Sequence, residues 1–118
     1  MLSGLAMLSG WFFQKRVRPC AVLVFFFCSL PVGAETVEVR IVGQRFVPAQ
    51  VVIKARDTVR WLNEEKRSNH SVLFSDEDGL ESERIFPGES WQRVFNRPGT
   101  YPYRCGPHPE MTGSVHVE

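Results

Sequence analysis

The sequence predicts an all-β domain, a sandwich of about seven short strands, on three observations. Apolar and polar residues alternate at a period of two in TVEVRIV, where Glu38 and Arg40 separate Val37, Val39 and Ile41. Pro87-Gly88 and Pro98-Gly99 fall between apolar runs, where a fixed φ followed by a permissive residue makes turns. No stretch from Glu35 onward has helical periodicity.

The chain opens on a segment of another kind. Lys15, Arg16 and Arg18 precede an apolar run from Cys20 to Leu30 in which only Ser29 is polar, and Val32-Gly33-Ala34 follows. The run falls well short of the roughly 20 residues that a helical membrane span requires. A charged start, a short apolar middle and a small-residue end describe a secretory signal peptide over residues 1–34, cleaved after Ala34. The alternative is an uncleaved membrane anchor, which the length disfavours. Cys28 follows Phe27 rather than a small residue, which argues against a lipoprotein anchor. Initiation at Met7 would leave the same mature chain.

The mature chain, residues 35–118, is one small domain near the lower size limit for a core stable without staples. Cys20 and Cys28 leave with the signal, so Cys105 has no disulfide partner within the chain. An exported domain of this size usually carries bridges, and a bound metal is the alternative source of stability. Of 14 basic residues three belong to the leader, which leaves 11 against 13 acidic ones, a net charge of −2. Nothing in that balance suggests nucleic acid, and the mature form is expected to have no membrane contact.

After the strand at 36–42, Ala49 to Lys54 reads as a strand rich in valine and isoleucine, and Thr58 to Leu62 as the next, with Arg56-Asp57 as the turn between them. Ser71 to Ser75 is short and apolar; Trp91 to Phe95 and Tyr101 to Cys105 follow. Ser114 to Glu118 closes the chain with Val115 and Val117 inward. Trp61, Trp91, Phe46, Phe95 and Tyr101 are read as core.

Between the last two strands stands CGPHPEM, residues 105–111. Cys105, His108 and Met111 are spaced as a helix face would space them, but Pro107 and Pro109 would break that helix. The segment is therefore a stiff loop whose side chains converge because it turns back. A soft thiolate, an imidazole and a thioether suit copper better than zinc, calcium or magnesium. Zinc is the weaker alternative, since thiolate and imidazole also bind it. A trigonal site needs a second histidine. His70, in RSNHSVLF, stands at the entrance to a strand and can point into the end of a sandwich. His116, between Val115 and Val117, should point away from the core. For Met111 the competing reading is a core filler.

The segments F-V-P, D-T-V-R-W-L-N, N-H-S-V, P-G-E-S, P-G-T-Y-P-Y-R-C and H-P-E-M-T-G-S-V resemble those of the cupredoxins, specifically the plastocyanin and amicyanin group. The loop C-x-P-H-P-x-M is similar to the amicyanin loop rather than to longer ones. The resemblance covers nearly all of the mature chain. It implies a cupredoxin-like Greek-key sandwich and one copper ion held by His70, Cys105, His108 and Met111, with the methionine as weak axial partner. It further implies a periplasmic, monomeric carrier of single electrons between redox proteins, such as a c-type cytochrome, a dehydrogenase or an oxidase, docking transiently at the His108 edge. In that group an asparagine follows the first histidine and ties two loops together; here Ser71 takes its place and Asn69 precedes the histidine. Ser71 still offers a backbone N–H to the sulfur.

Charge adds two docking candidates. Glu110 stands beside His108 where the amicyanin group tends to be apolar, and Asp76, Glu77, Asp78, Glu81 and Glu83 make an acidic run. Each can be read as merely solvated, or as steering a basic partner. Two other functions compete. Copper storage or delivery more often uses exposed sites rich in methionine or cysteine. A copper enzyme such as an oxidase or nitrite reductase needs further histidine-bound copper, and His116 alone cannot make a second centre.

Overall fold

The structure, a computed structural model, describes residues 4, 18–27 and 33–118. Lys15, Arg16, Cys28 and Val32 of the predicted leader lie outside the described residues. Met1–Leu30 and Pro31–Glu118 are separate units. Residues 18–27 form neither helix nor strand, and no described helix is long and apolar enough to cross a membrane.

From Thr36 the chain is β throughout: β1 (Thr36–Val42), β2 (Arg45–Val47), β3 (Gln50–Ile53), β4 (Thr58–Asn63), β5 (Leu73–Phe74), β6 (Leu80–Glu81), β7 (Ser90–Val94), β8 (Gly99–Arg104) and β9 (Thr112–Val117). One sheet runs β2-β1-β4-β7 and the other β3-β9-β8-β5-β6. Both are mixed, with β1 parallel to β4 and β3 parallel to β9. All seven predicted strands are present. The two that were not predicted, β2 and β6, have three and two residues, too short to show an alternation. β1 and β2 are joined by Gly43-Gln44, both at positive φ (59° and 54°), as a two-residue hairpin of the type that matches strand twist requires.

The predicted strand at 71–75 shrinks to Leu73–Phe74 for a physical reason. The Ser71 N–H points to the Cys105 sulfur and the Val72 N–H to the Ser82 hydroxyl, so neither donor is free for a ladder. Cys105 likewise lies just outside β8, its N–H on the Met111 carbonyl.

The two inner faces meet at Trp61, wholly buried in β4, which packs against Phe74, Trp91 and Tyr103 with ring centroids 6.2, 5.4 and 5.4 Å away. Val39, Ile41, Val115 and Val117 complete the layer in the phase predicted from period two, with Val59 beside them, whereas Val37 is only partly buried against it. Phe46 and Phe95 are buried as expected, whereas Trp91 and Tyr101 are half-buried at the edge of this core. Gly113 is dictated by packing: a Cβ there would stand 2.4 Å from the Tyr103 ring and 2.9 Å from the Ala49 carbonyl oxygen.

Asp57, in the turn between β3 and β4, accepts the Glu35 N–H at 2.9 Å and the Lys54 N–H at 3.0 Å. These bonds, that from Glu35 foremost, hold its carboxyl below the usual carboxylate range. A folded-state pKa below the unfolded one gives stability that is present above the unfolded value and lost as pH falls through the folded one. Urea unfolding of Asp57→Asn should therefore show a less stable protein at pH 7. The gap to wild type should close as pH drops below about 4. A gap that persists in acid would assign the loss to geometry rather than charge.

Candidate metal centre

The centre forms at the end of the sandwich where β4 and β8 terminate. After β8 the chain turns through Cys105–Met111 and re-enters β9. The Cys105 N–H donates to the Met111 carbonyl and the Met111 N–H to the His108 carbonyl, both at 2.9 Å, which closes the loop on itself. Pro107 and Pro109 fix φ at the two positions flanking His108 and contribute no N–H.

Three of the four predicted donors converge. His70 Nδ1 lies 3.6 Å and His108 Nδ1 3.5 Å from Cys105 Sγ, and the three donor atoms lie within 4.8 Å of one another. The two imidazole rings have centroids 5.0 Å apart and planes inclined at 44°. Cys105 and His70 are wholly buried, whereas His108 is partly exposed. Met111 is buried at the foot of the loop, which its main chain closes. The structure does not bring His116 to the site. That residue lies exposed on β9 with Nδ1 3.0 Å from the Thr100 hydroxyl, the surface position its neighbours predicted.

His70 is held from two directions. Its main chain pairs with Ile85, donating to the Ile85 carbonyl at 3.2 Å and accepting the Ile85 N–H at 2.8 Å. Its Nε2 lies 2.9 Å from Glu65 Oε2. A proton on Nε2 serves that carboxylate and leaves the Nδ1 lone pair free for a metal. Burial alone would raise the Glu65 carboxyl, but the bonds from His70 and from the Gln44 N–H outweigh it and hold the group below its ordinary range.

Behind Glu65 stands Asn63, wholly buried. Its amide donates to the Ser68 carbonyl at 2.7 Å and the Ile85 carbonyl at 2.9 Å, while its oxygen accepts the Glu65 N–H at 2.9 Å. The sequence reading missed both Glu65 and Asn63. Asn63 was detectable, since it continues the inward phase of Val59 and Trp61 with a polar side chain.

Ser71 does more than the sequence reading assigned. Its N–H points to Cys105 Sγ at 3.5 Å, as expected, and its hydroxyl accepts the Gly106 N–H at 2.9 Å. The loop-to-loop tie is therefore made by serine in place of asparagine. The acidic run is not a uniform solvated patch: Glu77 binds the Arg93 guanidinium through both oxygens, at 2.5 and 2.8 Å, and Glu81 accepts the Ser71 hydroxyl at 2.7 Å. Beneath the site, Tyr103 is buried edge-on to Phe46 and Trp61, and burial pushes its hydroxyl up to about 12. Neither that hydroxyl nor the Trp61 indole N–H has a hydrogen-bond partner among the described residues.

The donor set fits copper. Two imidazole nitrogens face one sulfur, one imidazole is oriented by a carboxylate behind it, and the sulfur receives a backbone N–H.

Residues 34–118 match the model of a copper-binding protein family, that of plastocyanin and azurin. Amicyanin-alpha of Methylorubrum extorquens is 39% identical over 89 residues, covering 72% of this chain and 74% of that protein. Among solved structures, the Cu(I) form of a methionine-to-alanine mutant of amicyanin is 30% identical with a TM-score of 0.68, covering 75% of this chain and 87% of the other. An oxidised methionine-to-leucine mutant of amicyanin is also 30% identical, with a TM-score of 0.66 over 70% of this chain and 81% of the other. The two mixed sheets are thus a cupredoxin sandwich, as the resemblance implied.

Proposed function

From the premise that the chain belongs to the copper-binding plastocyanin/azurin family, we propose that it carries single electrons between redox proteins through one copper ion held by His70, Cys105, His108 and Met111. The observation that carries this reading is the convergence of His70 Nδ1 and His108 Nδ1 on Cys105 Sγ, at 3.6 and 3.5 Å. Bound copper supplies a one-electron couple, and amicyanins similar to this chain are known in both Cu(I) and oxidised forms.

The protein's part is to keep the donors still. Electron transfer is slowed by any rearrangement of ligands between oxidation states. Pro107 and Pro109, the closed loop, and the grip of Glu65 and Ile85 on His70 all oppose such rearrangement. Cys105, covalently next to β8, would offer the sulfur path into the protein, and Met111 would supply a weak thioether donor that helps set the potential.

His108 is the donor with exposed surface, flanked by exposed Pro107 and Pro109, so partners dock transiently at that edge. A c-type cytochrome, a dehydrogenase or an oxidase fits this role. The leader is cleaved after Ala34 and the carrier works as a monomer in the periplasm. A copper oxidase or nitrite reductase would need further histidine-bound copper, and His116, the one histidine left over, lies exposed on β9.

Purified protein titrated with Cu(II) should develop an intense thiolate-to-copper absorption that saturates at one equivalent. Narrow copper hyperfine splitting and a reversible one-electron voltammetric wave should accompany it. Colourless binding, or copper that oxidises Cys105 and departs, would replace this reading with copper storage or delivery.

A further inference from the structure

We propose that Glu81 is a positioning residue for the metal-ligating cysteine, acting through the Ser71 hydroxyl on the Cys105–Gly106 peptide. The inference deepens the carrier reading above and rests on it for its spectroscopic consequences only.

Sheet register brings the parts together. Leu73 of β5 pairs with Glu81 on one side and Arg104 on the other, so an acidic and a basic side chain flank the strand that leads down from Ser71. Arg104 turns its guanidinium to the carbonyls of Cys105 and Gly106, at 3.1 and 3.3 Å. Glu81 reaches Ser71 Oγ at 2.7 Å, and that oxygen accepts the Gly106 N–H at 2.9 Å. The carbonyl and the N–H of this peptide, and the Gly106 carbonyl that follows, are therefore each fixed by a side chain. Ser71 grips Cys105 a second time through its own N–H on the sulfur.

A hydroxyl that accepts one bond must place its own proton elsewhere, and its rotor is free unless an acceptor holds it. Glu81 is that acceptor, and its charge strengthens the bond. The space is built for the contact: a Cβ on Gly106 would stand 2.1 Å from Glu81 Oε1 and 2.6 Å from Ser71 Oγ. A side chain at Gly106 would displace the Glu81 carboxylate and crowd the Ser71 hydroxyl, so glycine leaves room for this contact. Glu81 is exposed as a residue, yet one of its oxygens is engaged inside the site rather than offered to a partner.

The test compares Glu81→Ala, Glu81→Gln and Ser71→Ala with wild type, first without metal. In wild type the Gly106 amide should exchange slowly with deuterium. Its exchange should accelerate about tenfold in Glu81→Ala and in Ser71→Ala, the loss of roughly one hydrogen bond. Val39 and Val59, far along the β1–β4 pair, should not change. Glu81→Gln keeps an acceptor and should restore most of the protection.

With copper bound, the two alanine variants should shift the charge-transfer absorption and widen the hyperfine splitting. Glu81→Gln should keep the wild-type spectrum but raise the reduction potential, because a negative charge that favours the higher oxidation state is gone. Unchanged Gly106 exchange in Glu81→Ala, or equal loss in the glutamine and alanine variants, would overturn the proposal. Failure of wild type to turn blue would instead count against the carrier reading, since the metal-free exchange is independent of it.

Discussion

Replacing Cys105 by alanine is expected to abolish the intense visible absorption while leaving a folded sandwich. The sulfur is the one soft anionic donor among the predicted ligands, and both histidine nitrogens face it. Without it, two imidazoles and a thioether remain, a set that binds Cu(II) weakly and gives no thiolate-to-copper transition. The second expected loss is thermal. A metal present at a hundredfold excess over its dissociation constant stabilises the native state by about 2.7 kcal/mol. For a domain of this size that amounts to roughly 11–22 °C in Tm. Wild type should gain that increment when copper is added, and Cys105→Ala should gain almost none. The comparison must be made within each protein. Deletion of the sulfur also strands the buried Ser71 N–H, which lowers the metal-free variant by about 1–2 kcal/mol on its own. A copper increment in Cys105→Ala equal to that of wild type would remove Cys105 from the ligand set.

What was legible in the sequence was what is local. β1 and β9 show their inner faces through alternation, with Val39 and Ile41 in one and Val115 and Val117 in the other buried between more exposed neighbours. The donor loop was legible because Cys105, His108 and Met111 lie within seven residues and the prolines exclude a helix. Positions whose role depends on distant partners were silent. Glu65 reaches the hairpin turn at Gln44, and Glu81 meets Ser71 only because β6 adds to the edge of β5. Inside an acidic stretch, Glu77 and Glu81 look like their neighbours until the fold commits them to Arg93 and Ser71. β6 could not be read because two residues have no period. Ser71 was read through the asparagine it replaces, which pointed to the N–H on the sulfur and left the hydroxyl unassigned.

Asn63 should be the most costly polar residue to remove, and its loss should be felt at the metal. Its side chain satisfies three backbone groups at once: the Ser68 and Ile85 carbonyls and the Glu65 N–H. Truncation to alanine leaves the Ser68 carbonyl and the Glu65 N–H without this partner, and the Ile85 carbonyl with the His70 N–H alone. At about 1 kcal/mol for each of the three hydrogen bonds lost, the cost is about 3 kcal/mol. Tm should fall by roughly 12–24 °C. Asn63→Asp has nearly the same shape yet should be worse than alanine at pH 7, because it turns acceptor lone pairs toward two carbonyl oxygens. Asn96, exposed between β7 and β8, is the control, and its alanine variant should stay within about 0.5 kcal/mol of wild type. The coupling to the site follows from who shares those bonds. Ile85 carries the main chain of His70, and Glu65 carries its ring. In Asn63→Ala both supports loosen together, so the copper absorption should broaden and weaken below the unfolding temperature. A variant that lost stability but kept the wild-type spectrum would show that Ile85 and Glu65 hold His70 without help from Asn63.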